Sequence, residues 1–174
     1  MFDYGGFHTV GIYKPTETDN QVLKLACEQA IKANSPVVIT TQSVVAAAAS
    51  LNIPEEQVIE SLEVLEGRRY IQFHDSAKDS FAIPDRTFEI DAQSSIPGYS
   101  TLVETVLAHI VNDGITNNKE LTAQVHQPPM VVNHILKYQD AQGAIKIAET
   151  FGDASGPAID VWDVPAETKR RFRK

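Results

Sequence analysis

Apolar residues recur at helical spacing along much of this chain, and short alternating runs follow each helical cluster. Val22, Leu23, Ala26, Cys27, Ala30 and Ile31 make the first stripe, with Asp19 or Asn20 placed to cap it. "SPVV" breaks that helix, and Val37-Val38-Ile39 can make only a small strand. Thr41 is then positioned to cap a second helix, "QSVVAAAASLN", whose consecutive alanines let another helix pack close. Pro54 opens a third helix and Gly67 ends it. "YIQFH" and "SFAIP", separated by the polar "DSAKD", read as a two-stranded hairpin.

After "DAQSSIPGYS", whose Ser, Pro and Gly read as a linker, the same order returns. Thr101 and Glu104 have the spacing of a capping box, and Leu102, Val103, Val106, Leu107, Ile110 and Val111 form one apolar stripe. Gly114 stops it, Asn117 or Asn118 can cap "KELTAQVH", and "PPMVVNHILKYQDAQG" makes a further helix. "AIKIAE" and "AIDVWDV" form a hairpin around "TFGDASGP". Sliding one half on the other by 74 residues superposes Pro54 on Pro128, Val58 on Val132, Leu62 on Leu136, Ile71 on Ile145 and Phe73 on Ile147. The shared offset and shared order predict an internal duplication.

Helix, small strand, helix, tight turn, helix and hairpin is an order that resembles the winged helix-turn-helix superfamily, in both halves. The expected class is mainly α with small β-hairpins (α+β), as a tandem winged helix-turn-helix. The expected parts are an N-terminal extension (1–18) with a strand in "FHTVGIY", unit 1 (19–92), unit 2 (99–168) and a basic tail (169–174). The resemblance implies that a third helix enters the DNA major groove and that the hairpin, or wing, touches the backbone. Many proteins of this fold bind other proteins with the same surfaces, so the side chains have to decide.

In the first unit, a core face of Val58, Leu62 and Leu65 would project Glu56, Ile59, Glu60 and Glu63 outward. Three carboxylates repel phosphate, and Arg68, Arg69 and Lys78 are the cations nearby, so this helix is a poor groove reader and a candidate protein-docking face. The matching positions of the second unit are Met130, Asn133, His134 and Lys137. There Asn133 could pair with adenine, Lys137 could reach guanine or phosphate, and Met130 could touch a thymine methyl. Lys119 and Lys146 could add phosphate contacts. The end "KRRFRK" supplies five cations, Lys169, Arg170, Arg171, Arg173 and Lys174, which could follow phosphates or pair with the acidic face of another copy.

The whole chain of 174 residues carries a net charge of −8, so residues 1–168 carry −13 and any nucleic-acid contact must be local. The sequence has 43% hydrophobic residues, enough for a real core, and lacks a run of the roughly 20 apolar residues that cross a membrane. A cytoplasmic setting is expected, with no membrane partner. Cys27 is the single cysteine and is expected as a buried thiol. The histidines at 8, 74, 109, 126 and 134 include no pair at i, i+4 spacing, so no metal or other cofactor is expected. His109 reads as a half-buried hydrogen-bonded residue, Trp162 as a residue closing the second core, and Asp160 with Asp163, on opposite faces of a strand, as a poor candidate for an acid/base pair. No catalytic constellation is present in this reading. The expected function is duplex-DNA binding in transcriptional or replication control; the alternative is a protein-interaction module, with a protein partner or a second copy docked on the acidic unit.

Overall fold

The computed structural model of the chain describes residues 14–153 and 156–174. The strand expected in "FHTVGIY" lies outside them. The chain is α+β. In the first half, α1 (Glu17–Ala33), β1 (Ile39–Thr40), α2 (Thr41–Ala49), α3 (Glu55–Gly67), β2 (Gln72–Phe73) and β3 (Ser80–Ala82) follow in order. Their strands form one antiparallel sheet, β1-β3-β2, with Ile39 opposite Phe81 and Phe73 opposite the same residue from the other side. The second half holds α5 (Tyr99–Asn112), α6 (Asn118–Val125), α7 (Pro129–Ala141), β4 (Lys146–Asp153) and β5 (Gly156–Asp163). Where β1 would fall, Asn117 makes a single antiparallel bridge to Asp160, and the Val161 N–H donates to the Thr116 carbonyl. Two further helices, α4 (Asp85–Ser95) and α8 (Ala166–Phe172), flank these halves.

The 74-residue offset holds for one pair of helices, while α1 and α2 fall out of register with α5 and α6. It carries α3 onto α7 end to end, and Pro54 and Pro128 are the N-caps of the two helices. Val58, Leu62 and Ile71 are as fully buried as their counterparts Val132, Leu136 and Ile145. Burying each such side chain contributes about 1.5–3 kcal/mol, so the equivalent positions stabilise equivalent packing.

Local starts differ from the sequence reading where a neighbour offered a better cap. α1 begins at Glu17 because the Thr16 side chain accepts from the Asp19 N–H while the Asp19 carboxylate accepts from the Thr16 N–H, a reciprocal capping box. Thr40, one residue earlier than expected, caps α2. α5 starts at Tyr99 behind a left-handed Gly98, which places Thr101 and Glu104 inside the helix and forms no box.

The expected linker is the larger correction. Residues 91–95 belong to α4, which starts behind Pro84 and turns Thr87, Phe88, Glu89 and Ala92 into the interior. α4 packs on α1, α5 and α7, so it joins the two halves. Trp162 is the other: it is 68% exposed, because strand alternation directs Ile159 and Val161 inward and Trp162 to the opposite face. Cys27 is fully buried, and burial pushes its thiol well above the ordinary range. Among the described residues no helix is long and apolar enough to cross a membrane.

Candidate functional site

α7 is apolar on more than one side. Val131, Val132, Ile135 and Leu136 fill the core, while Met130 and His134 are also buried, at 4% exposure each, His134 against α4. A helix buried on both faces presents little to a groove. The His134 Nε2–H donates to Glu89 Oε2 at 2.6 Å, and the Phe88 ring meets the imidazole edge-on at 4.7 Å. Glu89 also accepts from the Tyr99 hydroxyl and, at 3.0 Å, from Gln93 Nε2. Burial, and then that bond to Glu89, push the Tyr99 hydroxyl far above its usual range. The Met130 N–H donates to Asn34 Oδ1 at 2.7 Å, so an orphan donor at the helix start is satisfied from the first half.

The DNA-reading face expected on this helix is therefore not an open one. Met130 and His134 are interior, and Asn133, half-buried, accepts from Asn118 Nδ2 at 2.7 Å. The cations nearby face carboxylates: Lys137 pairs with Glu149 at 3.2 Å and Lys119 with Asp153 at 2.6 Å, both acids of the second hairpin. Lys146 is exposed on β4. Comparison with α3 misled the sequence reading because the face that is open in the first half is occupied by α4 in the second.

The expected basic tail begins as a docked helix: α8 carries Lys169, Arg170 and Arg171 in its last turn. Asn112 holds α8 at both ends of its amide, donating to the Phe172 carbonyl at 2.9 Å and accepting from the Lys174 N–H at 3.2 Å. Arg171 lies over the Phe172 ring and pairs with Glu104 at 3.1 Å. Lys169, Arg170, Arg173 and Lys174 are exposed. His109 is bonded through Nδ1 to Asp113 at 2.6 Å, as a half-buried histidine should be.

α3 has the face the sequence predicts. Val58, Leu62 and Leu65 are buried, and Glu56, Ile59, Glu60 and Glu63 are exposed. Glu63 pairs with Lys78 of the first hairpin at 2.7 Å, and Glu66 accepts from the Phe73 N–H at 3.3 Å, which seats the hairpin against the helix. Between them runs a groove of about 490 Å³ with Val45, Ile59, Leu62 and Phe73 as its apolar wall and Glu55 at its rim.

A second concavity, of about 500 Å³, lies between the halves. The loop after α1 (Pro36, Val37), Asp85 and Phe88 of α4, and Met130, Asn133, His134 and Lys137 of α7 line it. His134 Nδ1 faces Asp85 Oδ1 at 3.9 Å, too long for a hydrogen bond, and has no hydrogen-bond partner among the described residues. Sequence reasoning missed this cluster because Asp85, Phe88 and Glu89 sit beside a stretch whose Ser, Gln and Pro content suggested a loop. Phe88 and Ala92, four apart behind Pro84, were the available signal.

No family model and no curated protein matches this chain. A solved structure described as "Crystal structure of S. cerevisiae Stn1 C-terminal" is similar at 12% identity over 87% of this chain and 99% of that chain, with a TM-score of 0.27. A likeness that loose carries no argument about fold or function. Among the described residues no three His, Cys, Asp or Glu side chains converge as a metal site would require. Asp160 and Asp163 are both exposed on β5.

Proposed function

We propose that this chain is a non-enzymatic protein-interaction module of two winged helix-turn-helix units, 19–92 and 99–168, that docks a cationic protein segment on the α3 and hairpin surface of unit 1. The fold reading is supported by the repeated element order, the β1-β3-β2 sheet and the end-to-end match of α3 with α7. One observation carries the function: of the two third helices, the one with Lys137 is packed against α4, and the one left open is acidic. An apolar groove with Ile59 in its wall, Glu55 and Asp79 among its lining and Lys78 already paired with Glu63, on a helix whose open face also carries Glu56 and Glu60, suits an amphipathic segment with lysine or arginine along one edge.

Duplex DNA is the competing reading, and the basic end favours it, since Lys169 and Arg170 on the clamped α8, with Arg173 and Lys174 just past its end, can follow phosphates. Contact would then come from Lys169, Arg170, Arg173 and Lys174 and not from α7. A fluorescein-labelled amphipathic Lys/Leu peptide and a labelled random duplex, each titrated at low and near-physiological salt, separate the two. The proposal expects peptide binding that Glu60→Lys weakens, with little duplex binding. Duplex binding that Arg170→Glu abolishes, without peptide binding, would replace it.

A further inference from the structure

We propose that residues 166–174 of one copy of this chain dock on the α3 face of a second copy, so that the cationic segment the groove accepts is the chain's own. This rests on the reading of α3 as a docking face and names its partner. Glu55, Glu56 and Glu60 are exposed on α3, and Asp79 of the first hairpin joins them at the groove. Glu63 is paired with Lys78, but these four acids meet no cation among the described residues. In α8, Thr168 is buried and Phe172 half-buried, one turn apart on the side that packs on α5, which leaves Lys169, Arg170 and Arg173 on the outer side. Arg171 is paired with Glu104, and these three cations and Lys174 meet no carboxylate among the described residues.

Spacing and shape agree with the charges. The Arg173 N–H donates to the Lys169 carbonyl at 2.9 Å, so these two cations stand one helical turn apart, about 6 Å along the axis. Glu56 and Glu60 have the same separation on α3. Ala166, also exposed, is too small to hold the helices apart, and the aliphatic stems of Lys169 and Arg170 can then cover Ile59 and the apolar wall of the groove. Asn112 fixes α8 on α5, so little order has to be gained on docking. A second copy satisfies both surfaces at once, whereas duplex DNA would neutralise the cations and leave the acidic groove open. Each copy carries −8, and a screening length of about 10 Å in 0.1 M salt confines that repulsion while contact pairs persist.

The test is sedimentation velocity of the full 174-residue chain up to about 200 μM, in about 0.1 M and about 1 M salt. The expected result is a mass that rises above the monomer with concentration at the lower salt and returns to the monomer at the higher. Glu56→Gln with Glu60→Gln, and Lys169→Gln with Arg170→Gln, change exposed side chains only, and each double variant should self-associate at least about tenfold more weakly. Mixed together, the two variants should form a one-to-one complex, because the first keeps its basic segment and the second its acidic face. A general loss of structure could not produce that complementation. The Lys/Leu peptide separates this inference from the reading beneath it: peptide binding on α3 by a chain that stays monomeric overturns self-docking alone, and the absence of both overturns the two together. Self-association that neither variant weakens, no complex in the mixture, or a monomer whose duplex binding depends on Arg170 would each overturn the proposal.

Discussion

Replacing Glu89 with alanine removes the acceptor on which α4 and α7 meet. Glu89 is 5% exposed and receives bonds from His134 Nε2, the Tyr99 hydroxyl and Gln93 Nε2. Gln93 is exposed and can turn to water, so its loss is small. The His134 N–H and Tyr99 O–H have no such escape, and a buried polar group stripped of its partner costs about 1–3 kcal/mol. The two together give a destabilisation of roughly 2–5 kcal/mol, within the range for breaking a buried charged network. For a chain of this length each kcal/mol lowers the melting temperature by about 2–4 °C, so a fall of roughly 4–20 °C is expected in calorimetry. Tyr99→Phe in the same background removes one stranded hydroxyl, and the double variant should recover about 1 kcal/mol relative to additivity. A Glu89→Ala loss below about 1 kcal/mol, or strict additivity with Tyr99→Phe, would refute the network as the joint between the halves.

Phe88→Ala, which empties a fully buried ring position against His134, should cost about 3–5 kcal/mol in denaturant unfolding. Trp162, the single tryptophan and 68% exposed, should emit like a solvated indole and be quenched readily by acrylamide. The buried Cys27 thiol, held protonated by its surroundings, should resist iodoacetamide in native buffer and react once the chain is unfolded, as read by mass spectrometry. Lys137→Met breaks only a partly exposed ion pair with Glu149 and should change stability by no more than about 1 kcal/mol.

Much of the fold is legible in the sequence because period and punctuation agree. The prolines at 54 and 128 open helices of equal length, and the apolar positions 74 apart occupy equivalent core sites. The acidic face of α3 follows from the same periodicity, since Val58, Leu62 and Leu65 leave only one face for Glu56, Glu60 and Glu63. The face of α7 does not follow, because what covers it is a tertiary partner. α4 has only Phe88, Ile90 and Ala92 as apolar residues behind its first turn, and Ile90 is exposed, so its stripe is too thin to stand out against the Ser and Gln that follow. Trp162 shows the same limit in a strand: hydrophobicity suggested the interior, and register placed the residue outside.

The most direct test of the central claim maps the bound surface. A ¹⁵N-labelled chain titrated with the Lys/Leu peptide at near-physiological salt should show shifts concentrated on α3 and the β2–β3 hairpin, lost in Glu60→Lys. Shifts on α7 or α8, together with comparable binding of random duplex DNA, would contradict the account and return the function to phosphate recognition.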